Sequence, residues 1–151
     1  AAVAANGGLD RCCLDPRSVH QVSVEFEKSQ KTAIALMVRV PHARRAGFEA
    51  NATVAYERAA FSALSASRFP LRIINGNGEP AADKEEYYPV YVTSIASLFD
   101  SIIMLDPTAI AAGGGGEVRQ VAVTRTMQTG NITATAPLDI FASAGDWGWL
   151  L

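Results

Sequence analysis

The chain has 151 residues, 49% of them hydrophobic and 19% charged, and 13 basic side chains against 15 acidic ones give a net charge of -2. That length suits one domain with its own core and leaves no room for a second full one. The Lys and Arg residues are scattered and form no basic stripe, which sets nucleic acid aside as a partner. No apolar run reaches the roughly 20 residues that cross a bilayer, so any membrane attachment is expected outside this chain.

Residues 1–15 read as a flexible N-terminal segment of small residues with the adjacent pair Cys12 and Cys13. Side-by-side thiols do not make a metal site, which needs spaced ligand pairs, and no His lies close enough in sequence to complete one. The pair is read as a disulfide to another chain or as free thiols. Asp15 before Pro16 is a helix start, an N-cap acceptor followed by a proline whose missing N–H costs nothing in the first turn. The spacing predicts a long helix over 16–40. Val19, Val22, Phe26, Ser29, Ala33, Leu36 and Val40 recur at steps of three and four, the seam of a coiled coil weakened by Ser29. Such a seam pairs two copies in a homodimer or packs on the sheet of its own domain.

Pro41 ends or kinks that helix, because the residue before a proline is pushed out of the helical region. Phe48, Ala52, Ala55, Tyr56, Ala59 and Leu64 then predict a second helical region before Phe69. "RFPLRII" predicts a strand entering the turn "NGNG", whose Asn and Gly tolerate positive φ. "YYPVYVT" is a second strand, in which Pro89 cannot donate to a ladder and belongs at an edge, a bulge or a mouth. "SLFDSIIMLD" predicts a short helix.

Gly113 to Gly116 form a linker, and no Lys-Ser or Lys-Thr follows to make it a phosphate loop. Val118, Val121, Ala122 and Met127 predict a helix over 117–128, stopped by Gly130. "NITATAPLDI" reads as a strand interrupted by Pro137, and "DWGWLL" as the start of another. A last strand beginning where the chain stops reads as a domain truncated at its C-terminus. Asn51 in "NAT" and Asn131 in "NIT" are glycosylation acceptors by pattern, and with the cysteine pair they lean the reading toward an extracytoplasmic compartment.

In this order, "RVPHARRAGFEA", "RIINGNGEPAADKEEYYPVYV", "IIMLDP" and "RTMQTGNITATAPLDI" resemble the CHASE domain, the extracytoplasmic ligand-sensing module of many histidine kinases and nucleotide cyclases, including plant cytokinin receptors. The motifs are Tyr88-Pro89-Val90, Leu105-Asp106, Thr129-Gly130 and Thr135-Ala136-Pro137, and the likeness covers about residues 38–151. It implies an α+β fold: a stalk helix over 16–40, then a PAS-like antiparallel sheet with flanking helices over 41–151. The chain departs from the family in the glycine run and in lacking the last strand of the distal half and the whole membrane-proximal half. Where cytokinin receptors place an adenine-binding aspartate, this chain has Glu117, Val118 and Arg119.

No catalytic constellation stands out. His20 and His42 are far apart in sequence, and His20 is expected to be solvated on the stalk. No metal or cofactor is called for. A small-molecule pocket requires apolar walls with a few aimed polar groups. The candidates are Tyr88 and Val90 on the strand, Met104 and Asp106 from the short helix, Glu117 on the next helix, and Thr135, Leu138 and Phe141 beyond it. Two readings follow: a non-enzymatic sensor of a transmembrane receptor signalling through a dimeric stalk, and a structural or interaction module of the same fold without a pocket. Bulky Met104, Phe99 and Phe141 filling the sheet face would favour the second.

Overall fold

The helix that Asp15 starts is shorter than the spacing predicts. The computed structural model describes residues 15–30, 35–62, 64–94, 99–109, 116–130, 138–139 and 147–148. Helix α1 runs over Pro16–Gln30. Its N-cap forms as expected: Asp15 Oδ2 accepts from Ser18 N at 3.1 Å and Ser18 Oγ at 2.7 Å. Those bonds hold the Asp15 carboxyl below its ordinary range, the Ser18 hydroxyl contributing most.

From Ala35 on the described chain is extended, with strand β1 at Ala35–Met37 and β2 at Val40–Pro41. The expected stalk over 16–40 and its continuous seam are thereby corrected. Leu36 and Val40 are strand residues, and Val40 is fully buried in the chain's own core. Val19 packs partly against that core, whereas Val22, one turn on, is 70% exposed. Ala33 and the side chain of Phe26 lie outside the described residues. The physical reason lies in the same stretch: exposure along 35–40 alternates, with Leu36, Val38 and Val40 turned inward. That is a period of two, and three-and-four spacing hid it.

β1 and β2 face β3 (Glu86–Tyr87) and β4 (Val90–Thr93) as one interrupted antiparallel ribbon. Val40 pairs with Tyr87, Met37 with Val90, Leu36 with Val92 and Ala35 with Thr93. Pro89 explains the interruption. Val38 N donates to its carbonyl at 3.1 Å, but proline has no N–H to return the bond. Two residues on, the register shifts so that Tyr91 is the extra residue of a bulge. Proline thus sits inside a ribbon beside a bulge, one of the places its chemistry allows.

The other edge of the ribbon is irregular. Val90 N donates to Leu105 O at 2.8 Å, and Met104 N to Val90 O at 2.7 Å. Ile74 bridges Leu105 in parallel and Pro80 in antiparallel sense. "RFPLRII" therefore contributes a bridge at Ile74 rather than the predicted strand, after a short turn of helix at Ala66–Arg68 and a cis Phe69–Pro70 bond. The turn after it forms as read: Asn75 Oδ1 accepts from Asn77 N and Glu79 N at 2.9 and 3.1 Å, and Gly78 takes φ 79°.

Helix α2, Arg45–Ala59, covers the ribbon and ends at Ala60, which adopts φ 48° where glycine is the usual choice. Its Phe48, Ala52 and Tyr56 are buried. Phe48 and Tyr56 meet Tyr91 at ring distances of 6.0 and 5.8 Å, and the Tyr56 hydroxyl donates to Tyr91 O. Burial, and after it Tyr91, pushes the Tyr56 hydroxyl far above its ordinary range. Helix α3 is a single turn, Phe99–Ile102, and puts Phe99 fully into the core.

Helix α4, Gly116–Thr129, begins inside the predicted glycine linker and is stopped by Gly130 at φ 67°. It packs on the turn Pro107–Ala109. Arg119 and Ala122 are on its buried face and Val121 is 67% exposed, so its apolar residues do not make a single inward stripe. Strands β5 (Leu138–Asp139) and β6 (Trp147–Gly148) pair antiparallel. The chain is therefore α+β, with helices and small antiparallel sheets.

Candidate functional site

Four of the predicted ligand-contacting residues come together. Tyr88 and Val90 lie along the ribbon, and Met104 and Asp106 run beside them through the Val90–Leu105 and Met104–Val90 bonds. Met104 is fully buried at φ 65°, an uncommon backbone state for a side chain with a Cβ. Its N–H and its carbonyl, which accepts from Ile74 N at 2.9 Å, are both bonded, which pins the residue there. Val90 is 5% exposed and belongs to the core.

Asp106 exposes nothing to solvent, and its carboxylate is surrounded by donors. Lys84 Nζ lies 2.6 Å from Oδ2 and Tyr88 N 3.3 Å from it, while Thr108 N and Oγ1 reach Oδ1 at 2.9 and 2.6 Å. Lys84 Nζ also donates to Thr108 Oγ1 at 2.6 Å. A carboxylate has about four acceptor positions, so this one is saturated from within. Its first role is to join segment 84–88 to the turn at 106–109 on which α4 packs. To accept from a ligand it would have to release Lys84.

Tyr88 is half-buried, and its hydroxyl donates to Glu86 Oε2 at 2.7 Å. Burial first, then that bond, pushes the hydroxyl up to about 12. Glu86 is held from the other side by Arg39, whose Nε is 2.9 Å from Oε1. The Arg39 bond above all, then the Tyr88 bond, holds the Glu86 carboxyl below its ordinary range.

Glu117 does not join this group. It stands exposed on α4, in a shallow open groove with Gln120, Val121, Thr124, Arg125 and Gln128. Thr135 and Phe141 lie outside the described residues, as do Cys12, Cys13 and Asn131; Leu138 is in β5, but its side chain is not described. Asn51 is exposed on α2. The hydroxyl of its sequon partner Thr53 is engaged, donating to Glu49 O at 2.8 Å and accepting from Leu71 N at 2.9 Å.

His20 corrects a further expectation. It is not solvated on a stalk: Nδ1 lies 2.8 Å from Thr93 O, and the ring meets Phe61 and Phe99 edge-on at 5.3 and 5.0 Å. It fastens α1 to the end of β4.

Lys84 and Thr108, which complete the Asp106 corner, were not among the predicted residues. Asp-Pro-Thr at 106–108 carries the local half of the signal, since an aspartate readily accepts from backbone two residues on. Lys84 gave no such signal within "ADKEE", because its pairing with Asp106 exists only across the fold. The same holds for Glu49, 4% exposed on α2. It accepts from Arg45 Nε at 2.9 Å, Arg72 Nη1 at 3.1 Å and Ile73 N at 2.9 Å. Burial works against the Arg45 charge, but the bonds to Glu49 and Tyr87 outweigh it and raise its pKa above the ordinary arginine value.

Among the described residues no group of His, Cys, Asp and Glu has the arrangement of a metal site, and no helix is long and apolar enough to cross a membrane. No protein-family model matches the chain, and no curated protein matches it.

Proposed function

We propose that the chain is a ligand-sensing module of PAS-like type from the extracytoplasmic part of a transmembrane signalling receptor, a histidine kinase or nucleotide cyclase, with no catalytic role of its own. The observation that carries this reading is the meeting of two motif segments that are far apart in sequence. Tyr88-Pro89-Val90 and Met104-Leu105-Asp106 are hydrogen-bonded side by side, and α4 packs on the turn that follows. A small molecule bound between that strip and α4 shifts their packing, and α1, fastened to β4 through His20, carries the change toward a partner copy. Such signalling requires different affinities for two arrangements.

A second reading, an interaction module without a pocket, is favoured by one observation: Met104 and Phe99 are both fully buried in the chain's own core. Native mass spectrometry of the chain made in a secretory host separates the two. A dimer carrying a co-purified small molecule, lost in Met104→Trp, is the result expected of the sensor. A monomer with no bound compound, and no thermal shift with a broad metabolite panel, overturns it in favour of the interaction module.

A further inference from the structure

The Tyr87 hydroxyl is fully buried at the end of the ribbon and has three neighbours within hydrogen-bond distance. Arg45 Nη1 is at 3.2 Å, Lys84 N at 3.2 Å and His42 Nδ1 at 2.9 Å. The first two can only donate. They occupy the two lone pairs of the phenol oxygen, so its own proton has one place left to go, His42 Nδ1. The imidazole is then the neutral tautomer with its proton on Nε2, and it is the exposed member of the pair.

We propose that His42 and Tyr87 form a pH-sensitive latch closing the β2–β3 end of the ribbon, independent of whether the sheet binds a ligand. A protonated His42 presents N–H at Nδ1 to an oxygen that already has two donors. The bond is lost, and the Tyr87 proton is left without an acceptor in a buried site. The charged groups around the pair largely compensate one another. Arg45 Cζ stands 4.8 Å and Lys84 Nζ 5.5 Å from the Tyr87 ring centroid, and Arg44 is on the same turn as His42. The acidic groups nearby are already engaged: Glu49 by Arg45 and Arg72, Glu86 by Arg39 and Tyr88, Asp106 by Lys84. Asp83 lies 3.4 Å from Arg45 and is 83% exposed, and the exposed Glu85 receives His42 N through its backbone carbonyl at 2.8 Å.

The unfolded chain takes up the imidazole proton without losing any such bond, so this part of the stability is present when His42 is neutral. It is lost once Nδ1 is protonated and no longer accepts from the Tyr87 hydroxyl. The loosened segment also carries Lys84 and Tyr88, which hold the Asp106 corner. The test is nitrogen NMR of the labelled chain at about pH 7.5, with melting temperatures of wild type and His42→Gln at about pH 7.5 and 5.5. Glutamine keeps a carbonyl acceptor for the phenol and does not titrate. The expected result is the Nε2–H tautomer for His42, and a drop in melting temperature on acidification several degrees larger in wild type than in His42→Gln. An Nδ1–H tautomer, or an equal drop in both proteins, overturns the latch.

Discussion

Glu49 on α2 and Asp106 in the turn before Pro107 are two buried carboxylates, and they are satisfied in different ways. Glu49 is served by two arginines and a backbone N–H, all from positions that α2 reaches through the fold or one helical turn away. Asp106 takes half its donors from Thr108, two residues on, and the rest from Lys84 and Tyr88 N. One is a tertiary clamp; the other is a local turn that a tertiary lysine completes. A buried charge is retained at low cost only while its donors remain, so the two sites should fail to different degrees.

The largest effect is expected at the clamp. Glu49→Ala takes away the acceptor of the buried Arg45 Nε and of Ile73 N, while the exposed Arg72 turns to water. It should lower stability by about 3–5 kcal/mol, measured as a shift in urea midpoint at unchanged slope. A loss under about 1 kcal/mol would mean that water or another acceptor replaces the carboxylate. Asp106→Asn should cost less, about 2 kcal/mol, because the amide oxygen still receives both Thr108 bonds and the partly exposed Lys84, which loses its acceptor, reaches water. A loss equal to that of Glu49→Ala would erase the distinction between local and tertiary satisfaction.

The smallest effect sharpens the comparison on the alkaline side. The Tyr88 hydroxyl is raised to about 12 in the fold against about 10 when free, by burial and the bond to Glu86. A raised value contributes stability that is full below about pH 10 and is lost as pH rises toward 12. Since Tyr88 is half-exposed, the contribution is about 1 kcal/mol or less. Tyr88→Phe should flatten this part of the alkaline stability profile, leaving the part due to Tyr56. An unchanged profile would place the Tyr88 hydroxyl in solvent.

Proline chemistry was informative because it is local: a strand containing Pro89 cannot form a full ladder, and the ribbon breaks opposite Val38. The α1 boundary shows the opposite case. Residues 35–40 satisfy a helical seam and a strand alternation at once, and only the pairing of Val40 with Tyr87 selects the second. At the candidate site, Tyr88, Val90, Met104 and Asp106 were legible from motif order, whereas Lys84 and Thr108 were not. A lysine in a charged run looks the same whether it points to solvent or into a buried carboxylate.

The sequence by itself determined the punctuation of this protein: Asp15-Pro16 starting α1, Asn75 to Gly78 turning the chain, Gly130 stopping α4. Each depends on one residue's backbone preference or one side chain's reach to its own neighbours. The tertiary structure alone decided where α1 gives way to strand, which carboxylates are buried, and that His20 faces aromatic rings instead of water. Those outcomes depend on which distant segment supplies the hydrogen bond or the apolar surface, and no short stretch of chain carries that information.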